Sequence, residues 1–103
     1  MDLDQARDQM ISQQLRTWDI LDDRVLAVMK EVPRERFLPE AYEGLAFADT
    51  SIPIGHGEVM RPPKLQGRLL QAVGPGPNDS VLEIGTGSGF LTACLARLAE
   101  KVE

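Results

Sequence analysis

The stretch Ser80-Val81-Leu82-Glu83-Ile84-Gly85-Thr86-Gly87-Ser88-Gly89-Phe90 carries the architecture of this chain. Residues 80–84 read as a short, mostly apolar strand, and the alternating glycines Gly85, Gly87 and Gly89 turn the chain into a helix over residues 90–100. Phe90, Leu91, Ala93, Cys94, Leu95, Leu98 and Ala99 make that helix apolar on most of its surface, as a helix packed on a sheet should be. Strand, turn and helix form the front of a βαβ unit, and a parallel partner strand needs just such a crossover. Lys101-Val102-Glu103 stand where that second strand begins. The fold class expected is α/β, and the chain is expected to be the front part of a longer protein.

The glycines have a mechanical reason. Without Cβ atoms the backbone turns sharply and lets a ligand approach the helix N-terminus, whose free N–H groups receive an anionic or carboxylate group. The spacing is G-x-G-x-G, and the dinucleotide fingerprint wants its third glycine where Phe90 sits, which weakens an NAD or FAD reading. Glu83, an acid at the carboxyl end of the strand, would repel a pyrophosphate. S-adenosylmethionine instead offers an ammonium for the acid and a carboxylate for the helix N-terminus. The plainer alternative is a strand-turn-helix connection without a ligand, with Glu83 facing water.

Working outward, Gly74-Pro75-Gly76-Pro77 is the clearest boundary in the chain. It divides an N-terminal helical and loop region, residues 1–77, from the start of an α/β domain, residues 78–103. Before it, Pro62-Pro63 sets the first turn of a helix with Leu65, Leu69, Leu70 and Val73 on one face. At the other end, Leu3, Ala6, Met10, Ile11, Leu15 and Trp18 draw one apolar stripe on a helix over residues 3–18, with Met10, Met29 and Trp18 expected in the core. A second helix starts at Asp22 or Asp23, carries Val25, Leu26, Val28, Met29 and Val32, runs about ten residues and stops at Pro33. Between Arg34 and Glu58 there is no sustained period; Pro39, Gly44, Pro53, Gly55 and Gly57 suggest a short helical turn followed by an ordered loop.

Composition limits the function classes. The 103 residues are 43% hydrophobic and 26% charged, which fits a single globular unit. Eleven Lys and Arg against sixteen Asp and Glu give a net charge of -5, a poor match for nucleic acid or an anionic membrane. The apolar runs fall short of the roughly 20 residues of a membrane span, and Met1-Asp2-Leu3-Asp4 is not a signal peptide, so a cytoplasmic protein is expected. Cys94 is the single cysteine, which excludes an internal disulfide and a multi-cysteine zinc site; no metal is expected.

Residues 81–90 resemble the cofactor motif of class I methyltransferases, and the chain resembles the protein L-isoaspartate O-methyltransferase family in particular. Three further stretches carry the narrower resemblance: Val32-Pro33-Arg34-Glu35-Arg36-Phe37-Leu38-Pro39, the following Ala41-Tyr42, and the Ile52-Pro53-Ile54-Gly55-His56-Gly57 loop. The resemblance implies the N-terminal part of a Rossmann-like class I methyltransferase, with residues 1–77 contributing to the substrate site and residues 78–103 opening the S-adenosylmethionine-binding domain. It implies transfer of a methyl group from S-adenosylmethionine to the α-carboxyl of L-isoaspartyl residues in damaged proteins. The partners implied are isoaspartyl proteins or peptides, with no nucleic acid and no membrane; the chain alone, short of the rest of the sheet, is expected to self-associate.

The implied cofactor residues are Val59, Met60, Glu83, Gly85, Thr86, Gly87, Ser88 and Gly89, and Arg61 is the candidate catalytic residue. Arg61 stands where the family usually has a serine, inside Val59-Met60-Arg61-Pro62-Pro63. It can pair with a substrate carboxylate, fill the space an isoaspartyl peptide needs, or be a solvated loop charge. A divergent or non-catalytic cofactor-binding protein with another acceptor is the rival reading. His56 reads as a loop histidine, Cys94 as a small buried residue, and Asp49 as a turn carboxylate or the edge of the site.

Overall fold

The computed structural model describes residues 2–83 and 87–103; Ile84, Gly85 and Thr86, which close the expected strand and open the glycine turn, lie outside the described residues. Asp2 begins the first helix, α1 (Leu3–Gln9), by accepting from the backbone N–H of Asp4 at 2.9 Å and of Gln5 at 3.4 Å. The helical path then changes type instead of continuing to Trp18: Met10–Leu15 is π-helical and Arg16–Trp18 is a 3₁₀ turn. Spacing explains the change. Met10 and Leu15 are both buried, yet five α-helical steps of about 100° would leave them about 140° apart. The wider π turn, bonded i→i+5, brings both to one side. Asp19 ends the path in the left-handed region at φ 61°, and Ile20 N–H returns to Leu15 C=O at 3.0 Å. The ends of the expected stripe are not core: Leu3 and Trp18 are exposed, and Lys64 Nζ lies 4.0 Å from the Trp18 ring centroid.

The second helix, α2 (Asp23–Glu31), follows the sequence reading closely. The Asp22 carboxylate caps it through the Arg24 N–H at 2.9 Å, and Val25, Leu26, Val28 and Met29 face the core. Residues 34–58 differ from the expected loop. Two 3₁₀ segments, Arg34–Phe37 and Glu40–Leu45, lead into an antiparallel hairpin of β1 (Ile52–Gly55) and β2 (Glu58–Met60). His56 and Gly57 form its turn with φ of 54° and 72°, the paired positive values of a type I′ connection. Pro53 is tolerated because a two-stranded ribbon has free edges, and Gly55 at φ 100° takes up the register shift. Ile52 and Met60, paired across the ribbon, are its buried anchors.

α3 (Pro63–Val73) starts at its prolines and ends on Gly74 in the left-handed region, as its sequence suggests, but it presents a different face. Pro63, Gln66, Gly67 and Leu70 are buried, whereas Leu65, Leu69 and Val73 are exposed. Gly67 sets this orientation: a Cβ there would stand 2.8 Å from Ile20 Cδ1, so the missing side chain lets the α3 backbone close on the Leu15 to Ile20 corner. β3 (Ser80–Val81) then pairs in parallel with β4 (Lys101–Val102) across α4 (Phe90–Leu98), the crossover the glycine stretch implies. Glu83 N–H to Glu103 C=O at 2.8 Å and Glu103 N–H to Val81 C=O at 2.9 Å carry the ladder on.

One apolar core runs through both sides of the Gly/Pro boundary, joining Met29, Val32, Ile52 and Met60 to Phe90, Cys94, Leu95 and Leu98. Arg24 fastens the boundary with bonds to Pro75 C=O at 2.9 Å and Leu98 C=O at 2.8 Å. Among the described residues, no helix is long and apolar enough to cross a membrane.

Candidate cofactor and acceptor site

The described part of the glycine turn packs against the two segments that precede the hairpin and form it. Gly87 has φ 59°, and a Cβ there would find Ile54 Cδ1 of β1 at 3.9 Å as its nearest neighbour. Gly89 has φ 91°, and a Cβ there would meet the Phe37 ring at 3.7 Å. Phe37 also packs edge-on against Phe90 with centroids 5.8 Å apart. A Cβ at Gly87 would thus meet no clash within the protein, while Gly89 lies against the Phe37 ring.

Gly89 is the N-cap of α4 and offers no side chain to the first-turn amides; the Phe90 N–H reaches Ser88 Oγ only at 3.4 Å. These amides are therefore available to a carboxylate or other anionic group, the role expected of this helix start. Glu83, half-buried at the strand end, accepts from the Thr92 hydroxyl through Oε1, which fixes the carboxylate against the first turn of α4. It borders a cavity of about 200 Å³ with Leu70, Val81 and Leu91. Gly85 and Thr86 lie outside the described residues.

The 59–62 stretch contributes unevenly. Val59 is exposed on the hairpin and Met60 is buried in the core, so the Met60 side chain is spent on packing. Arg61 lines an open cleft of about 540 Å³ with Trp18, Leu65, Arg68, Leu69 and Ala72, a lining that, among the described residues, includes none of the glycine turn. The backbone of Arg61 faces the other way. Its carbonyl accepts from Arg34 Nη2 at 2.7 Å.

Arg34 is fully buried, at 0% exposure. Its Nε donates to Ala46 C=O at 2.6 Å, its Nη1 to Gln66 Oε1, and its Cζ lies 5.1 Å from the Phe90 ring centroid. Burial pushes its pKa down to about 10, which still leaves it charged near neutral pH. Asp49 reaches Lys64 at 3.1 Å, and His56 stays exposed in the hairpin turn. Cys94 is buried, and desolvation pushes its thiol up to about 12, the signature of a packing residue and not of a nucleophile. Among the described residues no group of three His, Cys, Asp or Glu side chains could hold a metal ion.

Residues 5–103 match the family Protein-L-isoaspartate(D-aspartate) O-methyltransferase, PCMT. The chain belongs to the PCMT family. It is 40% identical over 97 residues to the Protein-L-isoaspartate O-methyltransferase of Aliivibrio fischeri, covering 94% of this chain and 47% of that protein. Against the Methanoregula boonei protein of the same name, identity is 46% over 96 residues, covering 93% of this chain and 44% of the relative. The crystal structure of a Plasmodium falciparum beta-aspartate methyltransferase (PCMT) in complex with S-adenosyl-L-homocysteine superposes with a TM-score of 0.75 at 26% identity, covering 88% of this chain and 41% of that one. The PCMT chain described here thus spans less than half the length of the curated relatives just named. Its α/β element order reproduces part of the PCMT methyltransferase fold.

Two residues that carry no mark of their own in the sequence, Arg34 and Gln66, tie together the segments around this candidate site. Arg34 was legible only as one letter of the Val32 to Pro39 stretch, because a charged side chain defaults to the surface. Gln66 sits one position from Leu65, which drew attention to the wrong face of α3. A useful signal was available in the start of α3, where Gln66 and Gly67 interrupt the leucines.

Proposed function

We propose that the protein carrying this chain transfers a methyl group from S-adenosylmethionine to the α-carboxyl of L-isoaspartyl residues in damaged proteins, and so initiates their repair. The observation that carries this reading is the PCMT family match over residues 5–103, which takes in both the glycine turn and the hairpin packed on it. When bound, S-adenosylmethionine supplies a methyl on positively charged sulfur, open to displacement by a carboxylate oxygen. Gly85, Thr86, Gly87, Ser88 and Gly89, together with the uncapped start of α4, would receive the cofactor carboxylate. Glu83 would face its ammonium, and Val59 and the Met60 backbone would flank it from the hairpin side. Arg61 and its neighbours would meet the acceptor. An acceptor carboxylate is already ionised near pH 7, so alignment rather than a general base is what these residues must provide.

In this reading residues 1–77 shape the acceptor side and residues 78–103 open the cofactor domain, a functional division laid over a shared core. Isoaspartyl proteins are the partners. The single buried thiol accords with a cytoplasmic, reducing setting. Arg61 in place of the usual serine supports a second reading, a related methyltransferase with a different acceptor. Methyl transfer assayed on the protein carrying this chain, with an isoaspartyl peptide and a mixed protein extract as parallel acceptors, separates the two. Labelling of the peptide is expected; labelling of extract proteins alone would replace the isoaspartyl acceptor with another.

A further inference from the structure

A guanidinium inside a protein normally meets a carboxylate. Arg34 does not: among the described residues its bonds go to two backbone carbonyls, Ala46 and Arg61, and to the neutral carboxamide of Gln66, with the Phe90 ring beneath it. The neighbouring acid Glu35 is taken by Arg7, at 2.6 and 2.8 Å. Four separate segments therefore converge on one side chain. Ala46 follows the second 3₁₀ segment, Arg61 follows β2, Gln66 belongs to α3, and Phe90 is the first residue of α4 after the glycine turn. Two of these, Arg61 and Phe90, lie in the stretches assigned above to the acceptor and the cofactor.

We propose that Arg34 is a positioning residue that fixes Arg61, the acceptor-side residue of the 59–62 loop, against the cofactor turn, acting through the Arg61 carbonyl on one side and the Phe90 ring on the other. The inference rests on the methyltransferase reading for its kinetic consequence, while its structural content stands apart from it. The guanidinium is suited to this because its planar fork directs several N–H groups at fixed angles and its face stacks on an aromatic ring. A lysine keeps the charge but is a point donor on a flexible stem, so it cannot hold Ala46, Gln66 and Arg61 together. The missing carboxylate matters as well. A carboxylate partner would draw the fork to itself, whereas neutral acceptors leave the charge shared among the segments.

The test uses the protein carrying this chain, as wild type, as Arg34→Lys, and as the double variant Arg34→Lys/Gln66→Glu. The double variant gives the buried ammonium a charged partner on α3 and so neutralises the buried charge, yet restores no grip on Arg61. A displacement of about 1 Å at reacting groups costs on the order of 100-fold in rate. We expect kcat for an isoaspartyl peptide to fall by about that factor in both variants, with the affinity for S-adenosylhomocysteine held within about threefold. Amide exchange at residues 58–61 should speed up by about tenfold or more while the amides of α2 keep their protection. Recovery of kcat in the double variant would overturn the proposal in favour of simple charge burial, and so would an equal loss of protection in every element. Unchanged exchange at residues 58–61 would also overturn it. If the wild-type protein leaves isoaspartyl peptide unmethylated, the proposed function fails, and the exchange comparison still decides the role of Arg34.

Discussion

Replacing Gly87 by alanine separates backbone strain from ligand contact, because a matched control exists in the same chain. Gly87 has φ 59°, and its absent Cβ would have Ile54 Cδ1 at 3.9 Å as its nearest neighbour; Gly57 in the hairpin turn has φ 72° and no atom within 4 Å. Both substitutions force an L side chain into the left-handed region, at about 1–2 kcal/mol each. Neither creates a clash within the protein, so both variants should fold with similar losses in urea unfolding. They differ in what the methyl meets when the cofactor is present. At Gly87 it stands, in the proposed site, where the ligand would approach the backbone, and one added carbon in a close-packed contact costs about 1–3 kcal/mol. That corresponds to a weakening of roughly 5- to 150-fold. Titration calorimetry with S-adenosylhomocysteine on the protein carrying this chain should show this loss for Gly87→Ala and none for Gly57→Ala. Equal affinities in two folded variants would remove Gly87 from the cofactor contact and refute the reasoning.

Three further outcomes are expected. Arg61→Ser should raise kcat/KM for an isoaspartyl peptide, by up to on the order of 100-fold if the long side chain obstructs the acceptor; a loss of activity would make Arg61 a clamp for the acceptor carboxylate instead. The 103-residue chain studied by itself should bind S-adenosylhomocysteine far more weakly than the protein carrying it, because the acid that grips the ribose in this fold comes about twenty residues after the glycines. It should also associate through the exposed Leu65, Leu69, Val73 and Leu82; a clean monomer in sedimentation with undiminished affinity would contradict both parts. Cys94 should resist iodoacetamide at pH 8 until the protein unfolds. Burial pushes its thiol up from the ordinary 9.0 to about 12, so the folded state keeps a proton the unfolded chain releases, and stability should fall as pH rises from 9 towards 12.

What the sequence discloses about this fold is what short-range chemistry controls. Asp22 and Pro33 bound α2 by capping and by a missing N–H, and the glycines before Phe90 announce α4; each signal sits within a few residues of its effect. The hairpin escaped because Pro53, Gly55 and Gly57 act as breakers in most settings, and His56 is an unusual occupant of a turn position that favours Asn, Asp or Gly. The face of α3 escaped because it is set by Gly67 closing on Ile20, a contact between residues far apart in the chain. The candidate site divides in the same way. Its glycines are visible as a local pattern, while Arg34, which ties four segments together, has no periodic or compositional mark.

The π-helical segment Met10–Leu15 also makes chain length itself a specified quantity in this protein. Removing one residue there, Ser12 for instance, would let the helix adopt ordinary α spacing and improve its internal hydrogen bonding. Leu15 would then stand four α-helical steps, about 40°, from Met10, still on the side it shares with Ile20 and Gly67, whereas an added residue would put six steps, about 120°, between them. An added residue in the exposed His56-Gly57 turn has no such lever to act on. Insertions should therefore accumulate at the hairpin tip among descendants of this sequence and be purged from the six residues after Gln9, where a single deletion is absorbed.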